Sequence, residues 1–195
     1  MKNLVLQEKI HQETTDLYRL FTPRLVLTLS HPRLAGKVAQ FNTENREALA
    51  DTEPNRPKEY YTSAGMRRIL KEEDKASKKC EEFRFWISEK GDDRIIGTVC
   101  ISNILFGSVK SCYLSYKISA DCQGKGYATE AVAEVIDFAW NILQLHRIES
   151  YVMPRNKKSL RVMEKLNFIP EGISHRCLEV NGVWEDHFRF SLLNE

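Results

Sequence analysis

The stretch SYKISADCQGKGYATEAVAEVIDFAW, residues 115–140, decides the fold class and raises the question of function. An alternating, strand-like segment passes through a loop with two glycines around a lysine into a long helical pattern. The first turn of a helix leaves backbone N–H groups unpaired at the positive end of the helix dipole. Because glycines let an anion approach these amides and Lys125 adds positive charge, the stretch predicts a phosphate site at a helix start.

The glycines also admit other interpretations. A P-loop needs G-x-x-x-x-G-K-[ST], and no glycine stands five residues before Gly124. A dinucleotide-binding loop needs a third glycine where Thr129 stands, although Glu149 lies at about the distance of the ribose-binding acid. A tight strand-to-helix turn without any ligand remains an open alternative to the anion site.

The segments around this unit predict one α/β domain, an α+β mixed sheet with helices packed on it. Alternating and helical patterns indicate the order β-α-α-β-β-β-α-β-α-β-β, and 195 residues suit a single domain of this kind. The predicted strands are 24–29, 83–89, 94–102, 110–119, 147–153, 168–176 and 183–192, and the predicted helices are about 31–50, 60–78, 126–143 and 157–166.

Composition limits the function classes. Apolar residues make up 42% and charged residues 29%, and the net charge of +2 indicates no direct nucleic-acid binding. The five cysteines form no C-x-x-C pair, which is typical of reduced thiols in a cytoplasmic protein, and the five histidines lack metal-ligand spacing. Charges interrupt the first 20 residues, and no apolar run reaches the roughly 18 residues of a membrane span.

Two blocks of sequence have the residues and spacing of known motifs. Gln123-x-x-Gly126-x-Ala128 resembles the pyrophosphate loop of the GCN5-related N-acetyltransferase (GNAT) family. Asn156-x-x-Ser159, followed by EKLNF at 164–168, resembles its N-x-x-S helix and the E-K-L-G-F segment after it. The family has Gly where Asn167 stands, and Asn is the next residue that tolerates the left-handed conformation of a helix C-cap.

The C-terminal segment NGVWEDH, 181–187, resembles the ribosomal-protein-alanine acetyltransferase branch of the family. The segments TPRL at 22–25 and 45–54 resemble the same branch. The resemblance covers about residues 20–192, so it implies an N-terminal extension at 1–20 and a single acetyltransferase domain at 21–195.

The resemblance implies acetyl transfer from acetyl-CoA to an amine. The parallel strands 110–119 and 147–153 would splay apart and receive the pantetheine arm. A backbone N–H near Ile118 would stabilise the oxyanion, Ser159 would protonate the leaving thiolate, and Asn156 would assist while capping its helix. The implied cofactor-binding residues are Ile118, Ser119, Gln123, Gly124, Lys125, Gly126, Tyr127, Ala128, Thr129 and Asn156. From the residues alone, Asn156 and Ser159 are also explained as a helix-capping pair.

The resemblance further implies an acceptor cleft between the first two helices and the last hairpin, with the N-terminus of a ribosomal protein as the acceptor. An α-amine has a reference pKa near 7.7–8.0 against 10.4 for Lys, so a weak base suffices for it. The acids and asparagines of 44–53 predict a negative rim. Open alternatives are acetylation of a polyamine or antibiotic amine, and a regulatory CoA-binding module without activity; the protein would be a monomer or a homodimer. The candidate acceptor-side residues are Glu149, Tyr151, Trp184, Asp186 and His187. Tyrosines such as Tyr113, Tyr116 and Tyr151 are more often core aromatics than catalytic acids.

Overall fold

An eight-stranded mixed sheet carries four α-helices in the computed structural model, which describes residues 17–195. The sheet order is β1-β2-β3-β4-β5-β6-β8-β7, and the predicted mixed α/β class is confirmed. The strands are β1 Arg19–Phe21, β2 Leu25–Leu29, β3 Phe83–Glu89, β4 Gly97–Leu105, β5 Ser111–Ile118, β6 Arg147–Val152, β7 Ile169–Val180 and β8 Val183–Leu193. The helices are α1 Ala35–Glu44, α2 Ser63–Lys78, α3 Tyr127–Asn141 and α4 Lys157–Lys165.

The N-terminal part differs from the sequence prediction in two places. The short strand β1 pairs with β2 and was not predicted. Residues 1–16 of the predicted extension lie outside the described residues. The first helix ends at Glu44 rather than near residue 50, because the Asn45 side chain donates to the carbonyl of Phe41 and closes the last turn. Residues 45–62 then form a connecting segment with two 3₁₀ turns, Ala50–Thr52 and Lys58–Tyr61.

Helices cover both faces of the sheet. Because side chains alternate along β3, Phe85 and Ile87 pack in one core with α3, whereas Trp86 packs with α1 and α2 on the other face. The α3 side contributes the fully buried Val132 and Val135, and burial of such a side chain is worth about 1.5–3 kcal/mol. The two cores hold the central strands rigidly from both faces.

The only parallel pair in the described sheet is β5 with β6, and it separates part-way along. Paired residues run from Ser111 with Arg147 to Tyr113 with Glu149, and pairing stops there although β5 continues to Ile118 and β6 to Val152. Each strand stays paired with its outer neighbour beyond this point. The predicted splay of these strands is therefore confirmed, and the opening is called the β5–β6 gap below.

Two predicted turn conformations are confirmed. Asn167, after α4, has a φ of +59°, the left-handed conformation of a helix C-cap. Asn181 and Gly182, with φ of +51° and +79°, form the two-residue turn between β7 and β8. None of the helices within residues 17–195 is long and apolar enough to cross a membrane.

Candidate functional site

The glycine loop ends at the start of α3 in a conformation that favours glycine. Gly124 and Gly126 have φ of +78° and +84°, and Gly126 is the N-cap of α3. The first internal bond of the helix runs from the Glu130 N–H to the Gly126 carbonyl, at 3.1 Å. The amides of the preceding residues therefore have no helical acceptor and present N–H groups at the positive end of the dipole.

A brace between Arg24 and Glu130 fastens this loop to the start of β2. Arg24 Nε donates to Glu130 Oε2 at 2.7 Å, and Arg24 N–H donates to Glu130 Oε1 at 2.9 Å. Arg24 Nη1 also donates to the Lys125 carbonyl at 3.0 Å, and the guanidinium stacks 4.6 Å from the centre of the Tyr127 ring. Arg24 belongs to the TPRL segment, and the sequence predicts no role for it because its partner Glu130 is more than 100 positions away.

The β5–β6 gap leaves backbone groups of β5 without a strand partner. Ser119 N–H donates to the Ile96 carbonyl at 2.7 Å, and antiparallel pairs alternate, so the peptide groups of Tyr116 and Ile118 point away from β4 and into the gap. Side chains donate hydrogen bonds to two of the carbonyls there. Ser150 Oγ donates to the Leu114 carbonyl at 3.1 Å, and Gln123 Nε2 donates to the Ile118 carbonyl at 3.1 Å. The N–H groups of Tyr116 and Ile118 face the gap.

Helix α4 closes the other side of the gap. The Asn156 side-chain oxygen Oδ1 accepts from Ser159 N–H at 3.1 Å, which is the helix cap that the sequence predicted. The Tyr116 hydroxyl donates to the Ser159 carbonyl at 3.3 Å, and burial raises the pKa of Tyr116 to about 12. Tyr116 packs against the core on the α3 face, as predicted for a core aromatic, and its hydroxyl also reaches the gap beside Ser159.

Two cavities meet at this point. The α3 cavity, about 590 Å³, lies between the glycine loop, β5 and α4, and the α2 cavity, about 660 Å³, extends over the sheet towards α2 and β3. The residues that line both cavities are Thr52, Tyr116, Lys117, Asn156 and Ser159. A molecule in one cavity can therefore reach a molecule in the other beside Ser159 and Tyr116.

The α3 cavity contains most of the predicted cofactor-binding residues and is strongly basic. Ser119 and Lys125 are not among its lining residues: the Ser119 hydroxyl donates to Asp121, and Lys125 contributes its carbonyl to Arg24. The predicted residues that line it are Ile118, Gln123, Gly124, Gly126, Tyr127, Ala128, Thr129 and Asn156. The basic lining residues are Lys117, Arg155, Lys157, Lys158, Arg161 and Lys165, against Asp51 alone among the acids.

The predicted acceptor-side residues are not brought together in one place. Tyr151 and the buried His187 line the α2 cavity. Trp184 and Asp186 line a separate shallow depression, where Asp186 pairs with His175. Glu149 pairs with the Arg147 guanidinium at 3.0 Å and lines neither main cavity.

The segment 44–53 does not form the negative rim that the sequence predicted. Glu53 makes an ion pair with Lys117 at 2.7 Å, and Asn45 is turned inward and buried. The α2 cavity is lined by three carboxylates, Glu53, Glu73 and Glu179, and by three cations, Arg56, Arg84 and Lys117. Its charge is therefore balanced, because the chain supplies its own cations. No group of three or more His, Cys, Asp or Glu side chains in the described part of the chain is arranged to hold a metal ion.

The glycine loop, the splayed strands and the capped α4 match a known domain. The family model of the acetyltransferase (GNAT) domain covers residues 24–169, most of the chain. This chain belongs to the GNAT family. Members of the GNAT family use acetyl-CoA, and CoA or acetyl-CoA is bound in solved structures with this fold.

Individual GNAT relatives are similar to this chain over most of its length. The chain is 42% identical over 152 residues to the probable N-acetyltransferase YjcK of Bacillus subtilis, covering 78% of this chain and 84% of that protein. It is 35% identical over 169 residues to the ribosomal protein uS5-alanine N-acetyltransferase of Escherichia coli, covering 87% of each. The structure of the ribosomal-protein-S5-alanine acetyltransferase from Vibrio fischeri matches with a TM-score of 0.87 at 32% identity, over 91% of this chain and 97% of that one.

The ion pair between Arg24 and Glu130 that holds the glycine loop should contribute to the free energy of unfolding. Glu130→Gln keeps the side-chain shape but removes its charge, so we expect the free energy of unfolding at pH 7 to fall by about 1–2 kcal/mol. Burial raises the pKa of Glu130, but hydrogen bonds from Thr22 and Arg24 outweigh it and hold the pKa below its ordinary value. The contribution is therefore complete above the ordinary Glu pKa and is lost as the pH falls through the folded value. In urea denaturation, the difference between the two proteins should shrink below about pH 4.

Glu134→Gln, one turn along α3, is the matched control. Burial and the nearby Asp137 raise the pKa of Glu134, so its charge does not stabilise the fold. An equal loss of stability in both variants at pH 7 would contradict a specific role for the brace.

Proposed function

We propose that this GNAT protein transfers the acetyl group of acetyl-CoA to the N-terminal α-amine of a ribosomal protein in the cytoplasm. The observation that carries the proposal is the meeting of the basic α3 cavity and the charge-balanced α2 cavity beside Ser159 and Tyr116. Similarity to the Escherichia coli uS5-alanine acetyltransferase over 87% of both chains supports this class of acceptor.

The residues of the α3 cavity fit acetyl-CoA, which supplies an acetyl group activated as a thioester. Unpaired amides from Gly126 to Thr129 and the surrounding lysines and arginines suit the phosphates of CoA. The N–H groups of Tyr116 and Ile118 suit the amide oxygens of a pantetheine arm lying in the β5–β6 gap as a missing strand would. Gly126 lets the phosphates approach, since its Cβ position has only Arg24 Nη2 within 4 Å, at 3.4 Å.

Two hydroxyl groups at the junction of the cavities are candidates to protonate the leaving sulfur. Ser159 occupies the first turn of α4 and Tyr116 lies against its carbonyl, so both reach the junction of the cavities. A Tyr hydroxyl is protonated at neutral pH, and burial raises the pKa of Tyr116 further above it. A phenol is more acidic than an alkyl hydroxyl, so Tyr116 and Ser159 are two separate candidate donors at this point.

The acceptor side provides no strong base at the junction. Of the carboxylates that line the α2 cavity, Glu53 is paired with Lys117 and Glu73 with Arg84. His187 is buried, with Nδ1 3.1 Å from the Glu185 carbonyl. An acceptor that is partly neutral at physiological pH suits this site, and an α-amine meets that requirement whereas a lysine does not.

Gly126→Asp tests the assignment of the phosphate site. The added Cβ would lie 3.4 Å from Arg24 Nη2 and bring a carboxylate to the start of α3. Its negative charge would repel the phosphates of CoA, so we expect acetyl-CoA binding in calorimetry to weaken at least about tenfold, roughly 1.4 kcal/mol. Gly91→Asp is the matched control, because Gly91 also has a φ of +84° but lines neither cavity. Equal affinities in the two folded variants would refute the site.

Removing each hydroxyl tests the source of the proton. Ser159→Ala and Tyr116→Phe should each lower kcat more than they raise the KM for acetyl-CoA, because the proton is needed only as the thiolate leaves. Tyr113→Phe is the control, since Tyr113 lines neither cavity. If kcat survives in the Ser159/Tyr116 double variant, neither hydroxyl supplies the proton.

The acceptor class is tested with peptides and pH. Peptides that begin with a free Ala or Ser should be acetylated, and the same peptides with a blocked N-terminus and a free Lys should not. Because the acceptor ionises by itself, kcat/KM should rise through roughly pH 7–8 and then level off. Intact-mass analysis of ribosomal proteins after incubation with acetyl-CoA identifies the acceptor. Spermidine turnover about ten times that of the best peptide would overturn the assignment.

A further inference from the structure

Lys117 is the least expected side chain at the junction of the two cavities. It lies on β5 between Tyr116 and Ile118, and its side chain is 14% exposed. Alternation along the strand places it on the face covered by α1 and α2, opposite the core on α3. A lysine at this depth needs acceptors for its three N–H donors.

Four side chains surround the Lys117 ammonium, and they are called the Lys117 cage. Nζ lies 2.7 Å from Glu53 Oε1, 3.3 Å from the Tyr60 hydroxyl and 3.4 Å from Asn42 Oδ1. The rings of Phe41 and Tyr60 lie 5.5 and 5.6 Å from it, within the range of cation–π attraction. A carboxylate, two neutral oxygens and two aromatic faces are the chemistry that recognises an alkylammonium group.

The cage is part of the wall of the acceptor side. Glu53, Tyr60 and Lys117 line the α2 cavity, and a small cavity of about 90 Å³ adjoins the same three residues and Asn42. Lys117 and Arg84 pair with two of the three carboxylates of the α2 cavity, so only Glu179 is left for an incoming cation. The non-reacting nitrogens of a polyamine are ammonium groups at neutral pH, and the α2 cavity offers them only Glu179 as an unpaired carboxylate.

We propose that the Lys117 ammonium occupies a cage that would otherwise bind an ammonium group of a linear polyamine. Lys117 thereby restricts the enzyme to acceptors that carry no second cation at the position of the cage. Lys117 is thus a specificity-determining residue. The proposal rests on the proposed transfer to protein N-termini. It explains why this enzyme would select such acceptors and reject small polycations.

Lys117→Ala tests the cage without depending on acetyl transfer. The substitution removes three carbons and the nitrogen, which n-propylammonium replaces atom for atom. We expect n-propylammonium, but not n-propanol, to raise the melting temperature of Lys117→Ala and to bind in calorimetry. Wild type and Lys117→Met should not respond, because lysine or methionine already fills the space. If Lys117→Ala does not fold in plain buffer, n-propylammonium must restore its folding and must not do so for a Lys117→Ala/Glu53→Gln double variant.

The second measurement concerns specificity. We expect the ratio of kcat/KM for spermidine to that for an N-terminal peptide to rise at least about tenfold in Lys117→Ala, and to rise less in Lys117→Met, which refills the space but leaves Glu53 without its cation. No response to n-propylammonium, an equal response in wild type, or an unchanged ratio would overturn the proposal. If wild type acetylates no peptide, the proposed acceptor fails instead, and the n-propylammonium measurement still decides whether the cage exists.

Discussion

The end of the ladder between β5 and β6 is the constraint on which the rest of the site depends. Pairing stops after Tyr113 and Glu149 while each strand remains bonded to its outer neighbour, so the opening has rigid walls. A gap in a sheet normally costs free energy, because buried peptide groups lose their partners. Here side chains satisfy two carbonyls, from Ser150 to Leu114 and from Gln123 to Ile118. The N–H groups that remain are what a ligand with amide oxygens needs.

The glycine loop and the connecting segment that border the gap are held by contacts with residues far away in the sequence. The glycine loop is held by Arg24 and Glu130, and the connecting segment 45–62 is held by Asn45 Oδ1 on the Ala120 N–H and by Lys117 on Glu53. Arg155 donates to the Asp51 carbonyl from the other side of the gap. These contacts join parts of the chain far apart in sequence, so the two cavities keep their shapes as one unit.

Electrostatics distinguishes the two cavities more clearly than their shapes do. The α3 cavity carries an excess of lysines and arginines and suits a polyanion, whereas the α2 cavity has equal numbers of opposite charges. Lys117 borders both and contributes positive charge to one while neutralising Glu53 in the other. One residue on β5 therefore helps to define what each side accepts.

The sequence by itself determined the features that depend on local conformation. Gly126 at the start of α3, Asn156 as the cap of α4 and the Asn181–Gly182 turn were all predicted, because each requires a backbone geometry that few residue types adopt. The mixed fold followed from the periodicity of the strands and helices. The tertiary structure alone decided the surroundings of Tyr116, Lys117 and Glu53. The sequence suggested a negative rim at 44–53, but the chain folds the connecting segment over β5 and pairs Glu53 with Lys117, 64 positions away. Long-range packing sets which charges meet, and no local pattern records it.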